Sequence, residues 1–456
     1  MSKIEVDTID KQSGSTLTVG GPGTAVTLGS GATQTGFGRT GTVNWCTTAK
    51  TSPLTVVSGN GYFINTTSGA ITVTLPASPS AGDIVAVKDY TGTSGCNAIN
   101  IARNGSKIRG ACACIALEQN NAGAQFIYVD GTEGWQIFQC GSDDDIQATY
   151  IQATGGTTST SGDYKIHTFN SSADFVVSNV GNSKGGGDKV SYAVVAGGGG
   201  GSRGSGGGGG AGGFREGKCT SDPYTASPLD AGEGLQVSAT SFPITVGAAG
   251  AKSPNCNSTG GSGANSIFSS ITSAGGGGGN MNAANPTGQG DGVAGGSGGG
   301  GGQRGANPAS TDGGAGNTPP VSPPQGNNGG GGVTVDNTGS GGGGGATAVG
   351  VAGDPGAPAG SVDGKGGNGG AGATTVITGS PVAYAGGGGG GSGNRPNGSS
   401  GGTGGGGNGG HGPSTNATAG TTNLGGGGGG GGYCSSTLGQ AAGGSGVVII
   451  RYKFQN

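Results

Sequence analysis

Tyr192-Ala193-Val194-Val195-Ala196-Gly197-Gly198-Gly199-Gly200-Gly201 passes from a β-branched run straight into glycine, and the second half of the chain repeats that passage many times over. Further glycine runs occupy residues 206–210, 275–279, 298–302, 329–332, 341–345, 386–391, 404–407 and 425–432, separated by short stretches of Asn, Ser, Thr and Pro. A glycine run has two physical readings. It is a floppy linker, because glycine loses more backbone entropy on ordering than any other residue. Or it is a polyproline-II helix, with about 3.1 Å rise per residue and no internal hydrogen bonds. The second is stable only where neighbouring runs take up its N–H and C=O groups, and only glycine lets backbones approach that closely. At that rise residues 425–432 would span roughly 25 Å. Similar run lengths joined by turn-like loops favour the bundle, and the absence of a sustained G-X-Y register excludes collagen.

What brackets the runs supports the same choice. Residues 164–169, 173–177 and 190–196 read as strands on one side, and Val447-Val448-Ile449-Ile450-Arg451-Tyr452 on the other. Residues 242–246 and 266–271 read as strand pieces that join the terminal strands in one small sheet anchoring the bundle. Before this half, residues 46–142 alternate in the manner of a β-sandwich or small barrel, with strand patterns at 61–65, 70–75, 84–89, 99–101, 126–129 and 135–138. Residues 1–45 read as a short β stem for attachment and trimerisation, and 143–161, with Ser142-Asp143-Asp144-Asp145 at its edge, as a linker. The expected fold is all-β with almost no α-helix: stem, sandwich, linker, then at 162–456 a small sheet framing a polyglycine-II bundle. The nearest approach to a helix is 117–121.

Composition narrows the function. Of 456 residues 120 are Gly and only 9% are charged, for a net charge of −3. No basic block points to nucleic acid. No apolar run approaches the length of a membrane span, and the N-terminus has no apolar h-region. Cys112-Ala113-Cys114 is too tight for the usual zinc spacing, so the eight cysteines read as thiols or a few disulfides. His167 lies in a strand pattern as a packed or surface residue. Lysines at Lys218 and Lys365 lack the Ser/Thr of a phosphate loop. No constellation calls for a metal, a cofactor or an enzymatic mechanism.

Two stretches resemble known families. Gly61-Tyr62-Phe63, Thr72-Val73-Thr74-Leu75-Pro76, Ala81-Gly82-Asp83, Asn104-Gly105-Ser106-Lys107-Ile108 and Gly134-Trp135 resemble a domain of marine phage tail fibres. The pair formed by residues 192–199 and Gly446-Val447-Val448-Ile449-Ile450-Arg451-Tyr452 resembles the glycine-rich domain of phage tail proteins. Its runs are similar to those of T-even-like phage tail-fibre adhesins, in which polyglycine-II helices pack and the connecting loops form the receptor-contacting tip. The short stem segments call for a homotrimer, and the resemblance implies a virion protein made in the host cytoplasm. It would be joined to other tail proteins through its N-terminus and would bind a bacterial surface saccharide or outer-membrane protein. The receptor loops it implies carry Phe214, Arg215, Tyr224, Arg304, Asn394, Arg395, His411 and Tyr433. The rival readings are a structural or decoration filament and, more remotely, an ice-binding protein.

Overall fold

The computed structural model describes residues 43–142, 149–182, 185–256, 258–281, 290–303, 311–333, 339–355, 364–393, 398–412, 415–432 and 439–455. The chain divides into two compact units, 1–146 and 147–456. Most of the expected stem, residues 1–42, lies outside the described residues. Among the described residues there is no α-helix.

The first unit contains β1 (Asn44–Lys50), β2 (Leu54–Thr55), β3 (Asn60–Ile64), β4 (Ile71–Thr74), β5 (Ile84–Asp89), β6 (Ile99–Ala102), β7 (Ile115–Leu117), β8 (Ala122–Asp130) and β9 (Gly134–Ser142). They build two sheets, ordered β1-β3-β5-β8-β9 and β2-β4-β6-β7. β1, β3 and β5 run parallel, as do β2, β4 and β6. Parallel neighbours need a crossover, and here each crossover is a strand of the opposite sheet. The chain therefore winds between the sheets, and the Pro76-to-Gly82 turn carries it across rather than back. Antiparallel pairs β6-β7 and β8-β9 end the winding. Alternation sends Tyr62, Ile64, Val85, Val87, Phe126 and Trp135 inward from one sheet, and Ile71, Val73, Ile99, Ile101 and Leu117 from the other.

One carboxylate ties the β5 end to the β8 start. Asp89 is buried and accepts from Thr91 N, Gly92 N, Ser94 N, Ser94 Oγ and Asn121 N at 2.8–3.2 Å. Burial pushes its pKa up, but the bonds from Ser94, Asn121 and Thr91 outweigh burial and hold the carboxyl below 3.8. A depressed folded value means stability that is fully present above 3.8 and lost as pH falls through the folded value. Asp89→Asn is therefore expected to cost the first unit about 1–3 kcal/mol at neutral pH. It should also flatten the acid limb of its unfolding midpoint against pH. An acid limb equal to that of the wild type would refute the assignment.

The second unit contains β10 (Gln152–Thr154), β11 (Thr157–Ser161), β12 (Tyr164–Phe169), β13 (Ala173–Asn179), β14 (Lys189–Val195), β15 (Phe214–Gly217), β16 (Leu235–Gln236), β17 (Ser241–Thr245), β18 (Ser266–Phe268), β19 (Ile271–Ser273), β20 (Ala373–Thr375), β21 (Val382–Tyr384) and β22 (Val447–Lys453). β10 and β11 fall within 143–161, the segment expected to be a linker. Their Thr and Ser lack apolar alternation, which hides a strand from a pattern reading, although Thr favours the pleated conformation. Gly155 turns the chain between them at φ +118°, and a Cβ there would meet Asp174 O at 2.2 Å.

In place of the expected single small sheet stand the two-stranded β20-β21 pair and two larger sheets. One runs β10-β13-β17-β18-β19, the other β11-β12-β22-β14-β15, with β16 pairing β14. The pieces at 242–246 and 266–271 thus join one of the bracketing strands, β13, and each other, but not the sheet of β12, β14 and β22. Between the sheets lies a core of Phe169, Phe175, Val190, Tyr192, Val194, Phe268, Val448, Ile450 and Tyr452. The opposite face of β14 and β22 packs Ala193, Val195, Val447 and Ile449 against Phe214, Ile377, Tyr384 and the alanines Ala211, Ala346 and Ala385.

The glycine runs continue these strands. One leaves β14 at Gly197, another enters β15 at Gly213, and others join β17, β18, β19, β20, β21 and β22 in the same way. Their hydrogen bonds follow a period of three. Gly197 and Gly200 donate to Ala264 and Gly261, Gly198 and Gly201 to Gly444 and Ala441, and Gly199 and Ser202 to Gly210 and Gly207, all at 2.8–3.1 Å. In the returning run, Gly207, Gly210 and Gly213 donate to Asn280, Gly277 and Ala274. Gly208 and Ala211 donate to Gly341 and Gly344, and Gly206, Gly209 and Gly212 to Gly431, Gly428 and Gly425. Three consecutive N–H groups thus address three different neighbours. None of residues 197–201 or 206–213 takes a positive φ.

Candidate functional site

The end of this lattice remote from the sheets is where the chain presents its connections. Its runs terminate in small buried polar residues: Ser202, Ser205, Ser253, Asn280, Gln303, Ser340, Ser392 and Gln440. Ser205 is the knot. Its carbonyl accepts from Gln303 N at 3.2 Å and from Ser340 Oγ, and its N–H donates to Gly432 O. Ser202 Oγ donates to Ser258 O at 3.0 Å, and Gln440 Nε2 to Ser253 O. The hydroxyls of Ser202 and Ser340 and the amide of Gln440 do what a further glycine could not, satisfying carbonyls where the next run is missing, whereas the buried Ser253 Oγ has no partner among the described residues. Beyond this layer, Lys252, Pro254 and Asn255 are exposed. Cys256 in the same connection is disulfide-bonded, whereas Cys46, Cys96, Cys112, Cys114 and Cys219 are free thiols.

Of the residues expected in display loops, His411 lies at this end. It pairs with Thr415 through both backbone groups (3.2 and 3.0 Å) and bridges Ser392, and its buried Nδ1 has no partner among the described residues. Arg304, Asn394, Arg395 and Tyr433 lie outside the described residues; their described neighbours Gln303, Gly393 and Gly432 stand at this end.

Phe214, Arg215 and Tyr224 do not join them. Phe214 and Arg215 belong to β15, opposite Val195 and Val194. Phe214 is 1% exposed and stacks on Tyr384 with ring centroids 6.5 Å apart. Tyr224 is 7% exposed, and its hydroxyl donates to Glu216 Oε1 at 3.1 Å. Large rings flanking glycine runs are core material at the sheet end, because glycine leaves the apolar filling to whatever stands at its borders. Phe214 and Arg215 thus stand in a strand rather than a loop, while Tyr224 lies in the connection between β15 and β16 with its ring buried.

Pattern reading missed a buried polar cluster at the sheet end. Glu216 accepts from Tyr224, from Ser227 N at 2.8 Å and from Thr375 Oγ1 at 2.5 Å, and burial pushes its pKa up. Asp222 accepts from Arg451 Nε at 3.0 and 3.1 Å and from Ser191 Oγ at 3.0 Å. The available signal was Arg451 itself, a cation in the middle of a β-branched run. His167 is fully buried: Nδ1 bonds Gly155 O at 2.7 Å and Nε2 bonds Tyr452 Oη at 2.9 Å. A carbonyl only accepts, so Nδ1 carries the proton, and burial lowers the pKa. A cleft of about 290 Å³ near β14 is lined by Asp188, Lys189, Cys219 and Glu233. Its carboxylates are engaged, Glu233 with Lys189 at 3.4 Å and Asp188 with Gln236 at 2.7 Å. No group of three or more His, Cys, Asp or Glu among the described residues is arranged to hold a metal ion. Among the described residues there is no helix long and apolar enough to cross a membrane.

A family model described as a glycine-rich domain matches residues 177–453. The chain belongs to this glycine-rich domain family. The matched span begins within β13 and ends with β22, so it takes in the bundle together with most of the sandwich strands it adjoins. Among curated proteins none matches the chain.

Proposed function

We propose that the glycine runs are polyglycine-II helices and that the protein is a phage tail-fibre adhesin, attaching a virion to a bacterial surface receptor through the connections at the far end of the bundle. The observation that carries this reading is the three-neighbour hydrogen-bond lattice, which ends in a sealed polar layer from which irregular Asn-, Ser-, Thr- and Pro-containing connections depart. A lattice with backbone on every side holds loop ends in place before contact, so binding does not bear the full cost of ordering them. Homotrimers, several per particle, would multiply weak single contacts. Attachment to other tail proteins would fall to the N-terminal residues. With 9% charged residues, hydrogen bonding and aromatic contact suit a saccharide or an outer-membrane protein loop better than electrostatic capture.

The test is binding of the labelled full-length protein to a panel of Gram-negative cells. Residues 304–310, 394–397 and 433–438 are exchanged, one set at a time, for Gly/Ser of equal length. The expected result is binding to a narrow subset of cells, lost in at least one exchanged protein that keeps its thermal midpoint. Folded protein that binds no cell, or binds equally with all three sets exchanged, would leave the structural-filament reading in its place.

A further inference from the structure

We infer that the run at residues 425–432 and the segment at 439–453 together act as a closing strap, and that the glycine-rich unit becomes ordered only when they dock. β22 lies inside its sheet, between β12 and β14, with Tyr164 to Phe169 on one side and Ser191 to Val195 on the other. Its alternate residues fill both cores of the unit: Val448, Ile450 and Tyr452 in one, Val447 and Ile449 in the other. The glycine run before it is a hub for the earliest runs. Gly206, Gly209 and Gly212 donate to Gly431, Gly428 and Gly425, while Gly428 and Gly431 donate to Gly199 and Ser202. Gly198 and Gly201 donate to Gly444 and Ala441.

Remove the strap, and one donor in three of each early run loses its acceptor while β12 and β14 face each other unpaired. A side-chain core could close over such a loss. A glycine run cannot, because nearly all it contributes is backbone hydrogen bonds. These bonds link residues more than two hundred positions apart, so their loop closure precedes any return. The runs at 197–213 are made first and satisfied last. Order in this unit thus requires the strap, and a chain without it presents no bundle end.

Amide exchange on two shortened proteins tests this. One ends at Leu424. The other lacks residues 405–421, an edge excursion whose two ends both lie at the sheet end and whose described residues accept no backbone bond from the glycines of 197–201 and 206–213. In the chain ending at Leu424, exchange at 197–213 is expected to rise to the rate of an unstructured chain. β3, β5 and β8 of the first unit should keep full protection and serve as the internal control. The protein lacking 405–421 is expected to keep 197–213 protected. Protection of 197–213 in the chain ending at Leu424 would overturn the inference. So would equal loss in both proteins, since any deletion would then suffice.

Discussion

Gly209→Ala is expected to destabilise the glycine-rich unit by more than about 3 kcal/mol, whereas Ala249→Ser should leave it within about 0.5 kcal/mol of wild type. Gly209 donates to Gly428 O at 2.8 Å and accepts from Gly388 N at 2.9 Å. A Cβ on it would lie 2.0 Å from Gly199 O and 2.6 Å from Gly199 C. Overpacking a side-chain core costs about 1–3 kcal/mol because side chains re-rotamerise. Here the obstructing atoms are backbone, held by their own hydrogen bonds, so the cost exceeds about 3 kcal/mol, a large share of a domain's usual margin of about 5–15 kcal/mol. Ala249 lies in an outer run, exposed, with no neighbour on that side. Urea midpoints of the second unit check both. A Gly209→Ala midpoint within error of the wild type would mean that the runs are not close-packed.

The same contrast explains what could be read in the sequence. Interior runs need glycine at nearly every position because a neighbour sits on every side, as for residues 206–210 and 425–432. An edge run needs it only at each third position. Gly247-Ala248-Ala249-Gly250-Ala251-Lys252-Ser253 buries Gly247, Gly250 and Ser253 and exposes the rest, and Gly350-Val351-Ala352-Gly353 follows suit. These short triplets were legible, but a search for a sustained collagen register passes over them. The strands of the first unit were legible from alternation, while their parallel winding was not, since alternation fixes which face is buried and says nothing of direction. The two-sheet arrangement escaped for the same reason: residues 242–246 alternate equally well beside β13 or beside β22. At the bundle end, Ser202, Ser205, Ser340 and Ser392 border glycine runs directly, a signal that pattern reading treats as loop. Phe214 and Tyr224 stand out as bulk amid glycine, yet bulk there marks the core.

Asp222→Ala is expected to cost the second unit about 3–5 kcal/mol, far more than any surface charge would. Asp222 and Arg451 are 2% and 3% exposed, and the guanidinium lies over the rings of Tyr164 and Tyr224 at 4.6 and 5.4 Å. Arg451 Nη1 also donates to Ile377 O at 3.3 Å, so the pair joins β22 to the segment after β15 and to the turn after β20. Truncating Asp222 leaves a guanidinium that cannot neutralise itself, with water shut out by two tyrosines. Removing both charges, as in Asp222→Leu with Arg451→Met, should recover most of the loss, since the desolvation penalty goes with them. Denaturant unfolding of the two single variants and the double completes the cycle. If the double variant were no more stable than Asp222→Ala alone, the cost would belong to lost packing rather than to a stranded charge. Recovery in the double would mean that the pair sets the placement of the last strand more than it adds to stability. That is a role suited to a strand that must insert between two others, β12 and β14, on both of its edges.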